Sequence, residues 1–221
     1  MSTSNKKLGS LARNIGIGLG IAGVGLAAFL GYKSYRDAII IHNGDNTQTR
    51  GYYSFYPSSF RQTEAERQYD IQALHAAMKQ RTQRDIDFFK LVDVDITKPF
   101  KEIVPEVPRS QMLAVIHNPA VYWNILKEKY YYNRARPFQY EDSVLSSAVL
   151  HNKTTNNPSY PSGHAVQAYV LAIDLAKQFP DRKDQLYEVA ERIAFSRVQG
   201  GVHYPSDMHY GKEFAEKMYL K

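Results

Sequence analysis

Cysteine is absent from the 221 residues of this chain. That absence excludes disulfide bonds, metal sites with thiolate ligands and any mechanism that needs a thiol nucleophile. It does not fix the compartment, because exported proteins can also lack cysteine. The sequence also has no cluster of carboxylates or histidines that suggests a metal site, so we expect chemistry that needs no metal ion.

Acidic residues are in the minority, with 22 Asp and Glu against 28 Lys and Arg, and the formal net charge is +6. This balance suits anionic partners such as phosphate esters, acidic lipid surfaces or nucleic acid. A solvated basic surface is the alternative, and composition alone favours it. Motifs of the helix-turn-helix, RNA-recognition and zinc-finger kinds are absent, so we expect no nucleic-acid partner.

The N-terminal part of the sequence contains a long run without charge, at residues 14–32, after a basic tail at residues 1–13. Its 19 residues are enough to span a bilayer as a helix, so we predict a single-pass membrane anchor. A signal peptide cleaved near residues 25–27, followed by export, is the alternative. A buried soluble helix is disfavoured, because the run contains six glycines. We expect the domain that follows on the non-cytoplasmic side, although flanking Lys and Arg residues do not decide the orientation.

The rest of the sequence is interpreted as a linker at residues 33–60 and one domain at residues 61–221. Apolar residues recur at helical spacing in this domain, and no stretch shows sustained β-strand alternation. We therefore predict an all-α fold, a helical bundle with six or more helices after residue 60.

Several helix boundaries follow from local sequence. Thr63 and Glu66 form a capping box, and Asn118-Pro119 predicts a cap with proline at the first helical position. Three prolines predict a loop over residues 94–108, and Asp181 is the predicted cap of a helix at about residues 182–198. A final helix, at about residues 206–219, is predicted to bury three side chains: Tyr210, Phe214 and Met218.

One short run near the C-terminus places a guanidinium, an imidazole and a carboxylate close together, on Arg197, His203 and Asp207. Two glycines between the arginine and the histidine let the backbone turn. An imidazole beside a carboxylate is typical of a nucleophile or base held in one tautomer. The arginine fork indicates an anionic substrate, because it matches phosphate oxygens in pairs. For this run alone, ordinary capping and surface chemistry is an equal alternative.

A second run, Pro161-Ser162-Gly163-His164, stands directly before an apolar stretch and predicts a helix start. Helix N-termini bind anions through unpaired N–H groups and the helix dipole. Gly163 would let the backbone approach the anion, and Ser162 can cap the helix or donate a hydrogen bond. In isolation, His164 is better interpreted as a plain first-turn histidine.

A third run has Lys129, six further residues and then Arg136-Pro137. The proline disfavours a helical conformation at Arg136, so an extended segment presents that side chain. Either cation alone is better explained as a complement to a helix C-terminus. Together with the other two runs, we interpret both as phosphate contacts.

The three runs, Lys-x6-Arg-Pro, Pro-Ser-Gly-His and Ser-Arg-x5-His-x3-Asp, resemble in this order the signature of the type 2 phosphatidic acid phosphatase (PAP2) superfamily. That superfamily includes bacterial class A acid phosphatases, lipid phosphatases and vanadium haloperoxidases. The resemblance covers about residues 71–221, with its motifs between Lys129 and Asp207. With one candidate span rather than several, the chain looks more like the soluble acid-phosphatase branch with an added tether.

The resemblance implies a metal-independent phosphatase that acts on phosphomonoesters, lipid or soluble, through a phosphohistidine intermediate. In it, His203 attacks phosphorus, Asp207 fixes the tautomer of His203, and His164 protonates the leaving oxygen and then activates water. The implied phosphate-binding residues are Lys129, Arg136, Ser162, Gly163 and Arg197. No cofactor is implied, and vanadate is expected to inhibit.

Two alternatives remain open at this point. In a vanadium haloperoxidase of the same fold, His203 would ligate vanadate instead of attacking phosphorus. In an inactive membrane-tethered scaffold, the same residues would only bind an anion. The substrate stays undetermined, because lipid phosphates, isoprenyl pyrophosphates and soluble esters present the same head group. The oligomeric state also stays undetermined.

Overall fold

A computed structural model describes residues 60–140, 142–145, 147–149, 155 and 157–219. The predicted tail at 1–13, the predicted anchor at 14–32 and all but the last residue of the predicted linker at 33–60 lie outside the described residues. Within the described part of the chain, none of the helices has the length and apolar character needed to cross a membrane.

The described residues form ten α-helices and one 3-10 helix and contain no β-strand. In chain order these are α1 (Glu64–Gln80), α2 (Gln83–Val94), α3 (Lys98–Ile103), α4 (Arg109–Ile116), α5 (Pro119–Tyr132), α6 (Pro137–Tyr140), α7 (Asp142–Leu145), α8 (Gly163–Gln178), the 3-10 helix (Pro180–Arg182), α9 (Lys183–Gln199) and α10 (Pro205–Tyr219). The prediction of an all-α domain with six or more helices is confirmed.

Local capping explains where the early helices begin. The hydroxyl of Thr63 accepts a hydrogen bond from the backbone N–H of Glu66 at 3.2 Å, and the Glu66 carboxylate accepts from the Thr63 N–H at 2.7 Å. The Asn118 side chain accepts from the N–H of Ala120 at 2.9 Å, with Pro119 in the first turn. Each cap satisfies a backbone donor that the helix itself cannot pair. Both predicted caps are therefore confirmed.

The predicted loop over residues 94–108 is wrong, because α3 forms inside it. Pro99 lies in the first turn of α3, where a helix needs no backbone N–H from that residue. The short helix also buries the ring of Phe100 completely. Burial of this aromatic ring favours the helix, and proline in its first turn does not oppose it.

Two further boundary predictions are corrected by the structure. Asp181 lies inside the 3-10 helix and does not cap α9, which begins at Lys183 without a side-chain cap. The last helix begins at Pro205, one residue before the predicted start, so Ser206 lies inside its first turn.

The inward face of α10 also differs from the prediction. It consists of Met208, Gly211 and Ala215, whereas the predicted Tyr210, Phe214 and Met218 are only partly buried. At Gly211 the neighbouring helix lies too close for a side chain.

The centre of the fold is α8, which buries nine residues and packs most extensively against α9 and α10. Gly211 of α10 lies so close to α8 that a Cβ atom there would be 2.8 Å from the Cβ of Ala165. This close approach brings the beginnings of α8 and α10 together, and the N–H of Ser162 donates to the carbonyl of Asp207 at 3.0 Å. The two helix starts that carry the motif residues are thereby joined.

Candidate active site

The residues singled out in the sequence come from six separate places in the fold. Lys129 lies in the last turn of α5, and Arg136 lies in the irregular segment directly before α6. Ser162 is the N-cap of α8, and Arg197 lies in the last turn of α9. Three more complete the set, with Gly163 and His164 in the first turn of α8 and Asp207 in the first turn of α10. His203 lies between α9 and α10 and is in contact with residues from two of these places.

The imidazole of His203 is held by both of its nitrogens. Nδ1 lies 3.1 Å from Oδ2 of Asp207, and Nε2 lies 3.2 Å from Nη1 of Arg136. A guanidinium can only donate, so Nε2 of the neutral ring accepts and the ring proton sits on Nδ1. The side chain is 3% exposed, so this geometry is enclosed by protein. Nε2 of His203 therefore carries the lone pair, beside a positive charge.

The Asp207 carboxylate receives four hydrogen bonds. Besides His203, they come from Nη1 of Arg134 at 2.7 Å, from the N–H of Tyr204 at 2.9 Å and from the hydroxyl of Ser159. Burial would raise the pKa of Asp207, but the charge of Arg134 and the bond from His203 bring it well below its usual range. The Asp207 carboxylate is thus ionised, and its hydrogen bonds fix its orientation.

Lys129 and Arg136 are buried cations held by backbone carbonyl groups from residues 157–158 and from Val202. The ammonium of Lys129 donates to the carbonyl of Pro158 at 2.6 Å. Nε of Arg136 donates to the carbonyl of Asn157 at 2.9 Å, and Nη1 donates to that of Val202 at 2.8 Å. Burial lowers the pKa of Lys129, and the charge of Arg136 lowers it further. An anion placed between these cations would be favoured by their charges.

Arg197 and His164 meet at one carboxylate, that of Asp93 on α2. Nη2 of Arg197 donates to Oδ1 of Asp93 at 2.8 Å, and Nε2 of His164 lies 3.5 Å from the same oxygen. The guanidinium of Arg197 also stacks on the ring of Phe89, with its carbon 3.8 Å from the ring centroid. Burial lowers the pKa of Arg197 to about 10. Burial also lowers the pKa of His164 well below 6.5, and the neighbouring charge of Arg197 adds to this.

The start of α8 carries the remaining two residues. The Ser162 hydroxyl accepts a hydrogen bond from the N–H of Ala165 at 3.4 Å, so it caps the helix. A Cβ on Gly163 would make an ordinary contact, at 3.7 Å from Cε of Lys129. Packing inside the protein therefore does not require glycine at this position. By contrast, Gly201 has a φ of +75°, so the predicted backbone turn between Arg197 and His203 does use a glycine.

Comparison with known proteins agrees with this geometry. The family model described as "PAP2 superfamily" matches residues 111–212 of the chain. This region of the chain belongs to the PAP2 superfamily. The matched PAP2 region contains the whole span from Lys129 to Asp207, whereas residues 71–110 of the earlier resemblance lie outside it.

Curated relatives are similar over a limited length. A non-specific acid phosphatase of Salmonella typhimurium is 33% identical over 103 residues, which is 41% of this chain and 41% of that protein. A non-specific acid phosphatase of Providencia stuartii is 33% identical over 82 residues, 37% of this chain and 32% of that protein. The similarity thus spans about two fifths of the first relative's length and about a third of the second's.

A solved structure shares the fold more widely. It is the first transmembrane PAP2 type phosphatidylglycerolphosphate phosphatase from Bacillus subtilis, with a TM-score of 0.51 and 22% identity. The match covers 72% of this chain and 84% of that chain. It supports the helical architecture around the PAP2 region.

Sequence reasoning missed several polar residues that contact the site. Arg134, Asn157 and Ser159 lie within the PAP2 region, and Asp70 and Asp93 precede it. Arg134 stands two residues before Arg136, and that position was a usable signal. The two acids offered no such signal, because each lies on a helix that carries two other acids.

The two histidines predict how stability should depend on pH. Both are neutral in the folded protein, because burial lowers the pKa of His203 and of His164 well below 6.5. The unfolded chain takes up protons as the pH falls through about 6.5, so the folded state should lose stability there. The expected loss reaches about 1.4 kcal/mol per pH unit for each histidine. Asp207 adds a loss below about pH 4, where its unfolded carboxyl takes up a proton. Urea unfolding between pH 8 and pH 5 measures the slope.

The control for this prediction uses single histidine substitutions. His164→Asn removes one of the two buried histidines and should flatten the slope of stability against pH. His209→Asn, at an exposed histidine, is the control variant. Equal slopes in the wild type and His164→Asn would show that His164 is not held neutral.

Proposed function

We propose that this protein is a metal-independent phosphatase that hydrolyses phosphomonoesters through a phosphohistidine on His203. The observation that carries the proposal is the state of that ring. Its Nε2 lone pair faces Arg136, whose guanidinium would turn this hydrogen bond to the phosphate when substrate binds, while Asp207 holds the proton on Nδ1. A buried, neutral, oriented imidazole beside a cation is suited to attack phosphorus, because the cation draws the phosphate to the lone pair.

The phosphate group would lie among Lys129, Arg136 and Arg197. Phosphoryl transfer depends mainly on positioned positive charge, and these three side chains supply it from a buried setting. N–H groups at the start of α8 and the Ser162 hydroxyl add donors at a helix N-terminus. Ammonium and guanidinium groups cannot ligate a metal, so the positive charge that a metal would bring comes from the protein.

The proposed reaction has two balanced steps. In the first, Nε2 of His203 forms a bond to phosphorus, the ester P–O bond breaks, and His164 gives its proton to the leaving oxygen. In the second, His164 takes a proton from water, the water oxygen bonds to phosphorus, and the P–N bond breaks to release phosphate. A bound phosphate dianion would raise the pKa of His164 again, because it offsets the surrounding cations.

A substrate panel tests the proposed activity. The relatives are named for non-specific acid phosphatase and phosphatidylglycerolphosphate phosphatase activities, so soluble and lipid phosphomonoesters belong in the panel. We expect released phosphate from at least one class, no loss in excess EDTA, and inhibition by vanadate, which imitates the pentacoordinate state.

Controls for the panel include the alternatives on the same fold. Halide oxidation with peroxide and vanadate, faster than any phosphate release, would favour a haloperoxidase. Phosphate binding without turnover of any ester would favour an anion-binding scaffold. Activity restored only by a divalent metal after EDTA would contradict the metal-independent mechanism.

Substitution of each histidine separates their proposed roles. His203→Ala should abolish turnover of every substrate, since no covalent step remains. His164→Ala should lose roughly 10²–10⁴-fold on alkyl phosphates, the usual contribution of a general acid. On p-nitrophenyl phosphate the loss in the phosphorylation step should be much smaller, because that leaving group departs without a proton.

Burst kinetics provide the decisive measurement, because dephosphorylation also uses His164. Phosphoenzyme should accumulate in His164→Ala and never in His203→Ala. Phosphohistidine trapped in His203→Ala would show that the two roles are reversed.

Membrane attachment is a separate part of the proposal and rests on the uncharged run at residues 14–32. We expect the full chain to pellet with membranes and to resist carbonate extraction, while a chain that starts near Asn43 should be soluble and active. Intact full-length protein in the soluble fraction would contradict the anchor. A shortened product in the medium would favour the cleaved signal peptide.

A further inference from the structure

We propose that Arg134 is a positioning residue for the nucleophile, which fixes the Asp207 carboxylate and, through it, the protonation state of His203. This inference rests on the proposed function, since it assigns Arg134 a part in the same reaction. Arg134 lies outside the set of residues that hold phosphate, and it acts on the ring through the carboxylate between them.

The geometry of Arg134 is that of a buried connector between two acids. Nη1 donates to Oδ1 of Asp207 at 2.7 Å, and Nη2 donates to Oδ2 of Asp70 at 2.8 Å. The guanidinium lies between two aromatic rings, 4.2 Å from the centroid of Phe60 and 3.9 Å from that of Tyr204. Its side chain is 7% exposed. Stacking and two ion pairs fix the plane of the guanidinium, which a single surface ion pair does not do.

The two oxygens of Asp207 have separate partners. Oδ1 accepts from Arg134, while Oδ2 accepts from Nδ1 of His203 at 3.1 Å. A carboxylate without the arginine would attract the imidazole proton more strongly and would stabilise the imidazolium form. The imidazolium has no lone pair on Nε2 and cannot attack phosphorus. Pairing Oδ1 with Arg134 therefore favours the neutral, nucleophilic ring.

Asp70 on α1 extends this arrangement by one more charge. It accepts from Arg134, from the N–H of Ser206 at 3.0 Å and from Nε2 of Gln62 at 2.6 Å. The charges along this chain of contacts thus alternate: Asp70 is negative, Arg134 is positive and Asp207, next to the His203 ring, is negative. Removing the positive charge should raise the pKa of His203. Removing the negative charge of Asp70 leaves Arg134 to act on Asp207 alone and should lower the pKa of His203.

Other charged and titratable groups surround the same ring and carboxylate, and they are unchanged in these variants. They come from α5, the segment before α6, the residue before Pro161, α8, α9 and the turn before α10, and are Lys129, Arg136, Tyr160, His164, Arg197 and Tyr204. Since they are common to all variants, a difference between variants reports on Arg134 and Asp70.

The experiment compares Arg134→Met, Arg134→Lys and Asp70→Asn with the wild type. The dependence of kcat/KM on pH, with one substrate throughout, gives the acid limb at which the free enzyme loses its neutral nucleophile. An NMR titration of labelled histidine in the unligated full-length protein follows the His203 ring directly. Arg109→Met is the matched control, because it removes an arginine from a half-exposed ion pair with Asp95.

We expect opposite shifts in two of the variants. Arg134→Met should move the acid limb and the His203 titration upward by about one pH unit, a typical environmental shift. Asp70→Asn should move both downward. Arg134→Lys keeps the charge and should stay near the wild type, and Arg109→Met should not shift.

Several outcomes would overturn the inference. One is an Arg134→Met enzyme that loses activity by the same factor at every pH with an unshifted His203 titration, since that is a purely structural loss. Others are a shift in Arg134→Lys as large as in Arg134→Met, or an upward shift in Asp70→Asn. If Arg134→Met does not fold, the direction of the shift in Asp70→Asn still decides the inference. If the wild type hydrolyses no ester, the proposed function fails, while the NMR titration still tests the link from Arg134 to His203.

Discussion

The site depends on how buried positive charge is balanced around one imidazole. Lys129, Arg136 and Arg197 are almost completely buried, and an ion without partners in such a place costs several kcal/mol. The protein compensates them in two different ways. Lys129 and Arg136 are held by carbonyl oxygens, which orient a cation and leave its charge in place. Arg197 is held by the carboxylate of Asp93, which offsets its charge. The net attraction for an anion is therefore concentrated where Lys129 and Arg136 lie.

The same balance explains why the two histidines need different surroundings. His203 is neutral beside cations, with its proton directed to Asp207, and this suits a nucleophile. Burial and nearby positive charge also keep His164 neutral, yet a general acid must be in the imidazolium form before it can donate a proton. A dianion between the cations would resolve the conflict, because it favours the protonated form of the histidine that faces it. The proton on His164 would then be acquired together with the substrate, whereas the His203 ring already has its proton on Nδ1 before binding.

Sequence reasoning succeeded where the determining forces are local and failed where they are not. The caps at Thr63 and Asn118 act within four residues, and the all-α pattern follows from spacing along one helix. The loop predicted at residues 94–108 was wrong, because burial of Phe100 in the tertiary fold decides that segment. Tyr210, Phe214 and Met218 on α10 were expected inward, but α8 packs against the face that carries Gly211, where it leaves no room for a side chain. The acids Asp70 and Asp93 were invisible, since their arginine partners lie 64 and 104 residues away.

Those two acids also determine how much of the chain the site needs. The PAP2 region at residues 111–212 contains the arginines of both pairs, but the carboxylates come from α1 and α2, before that region. Removing one partner of a buried ion pair costs about 3–5 kcal/mol, and the whole stability of a domain is about 5–15 kcal/mol. Two such losses together would be comparable with the stability of the fold. The first two described helices are therefore part of the site, although the family match begins after them, and the functional unit starts before Asp70.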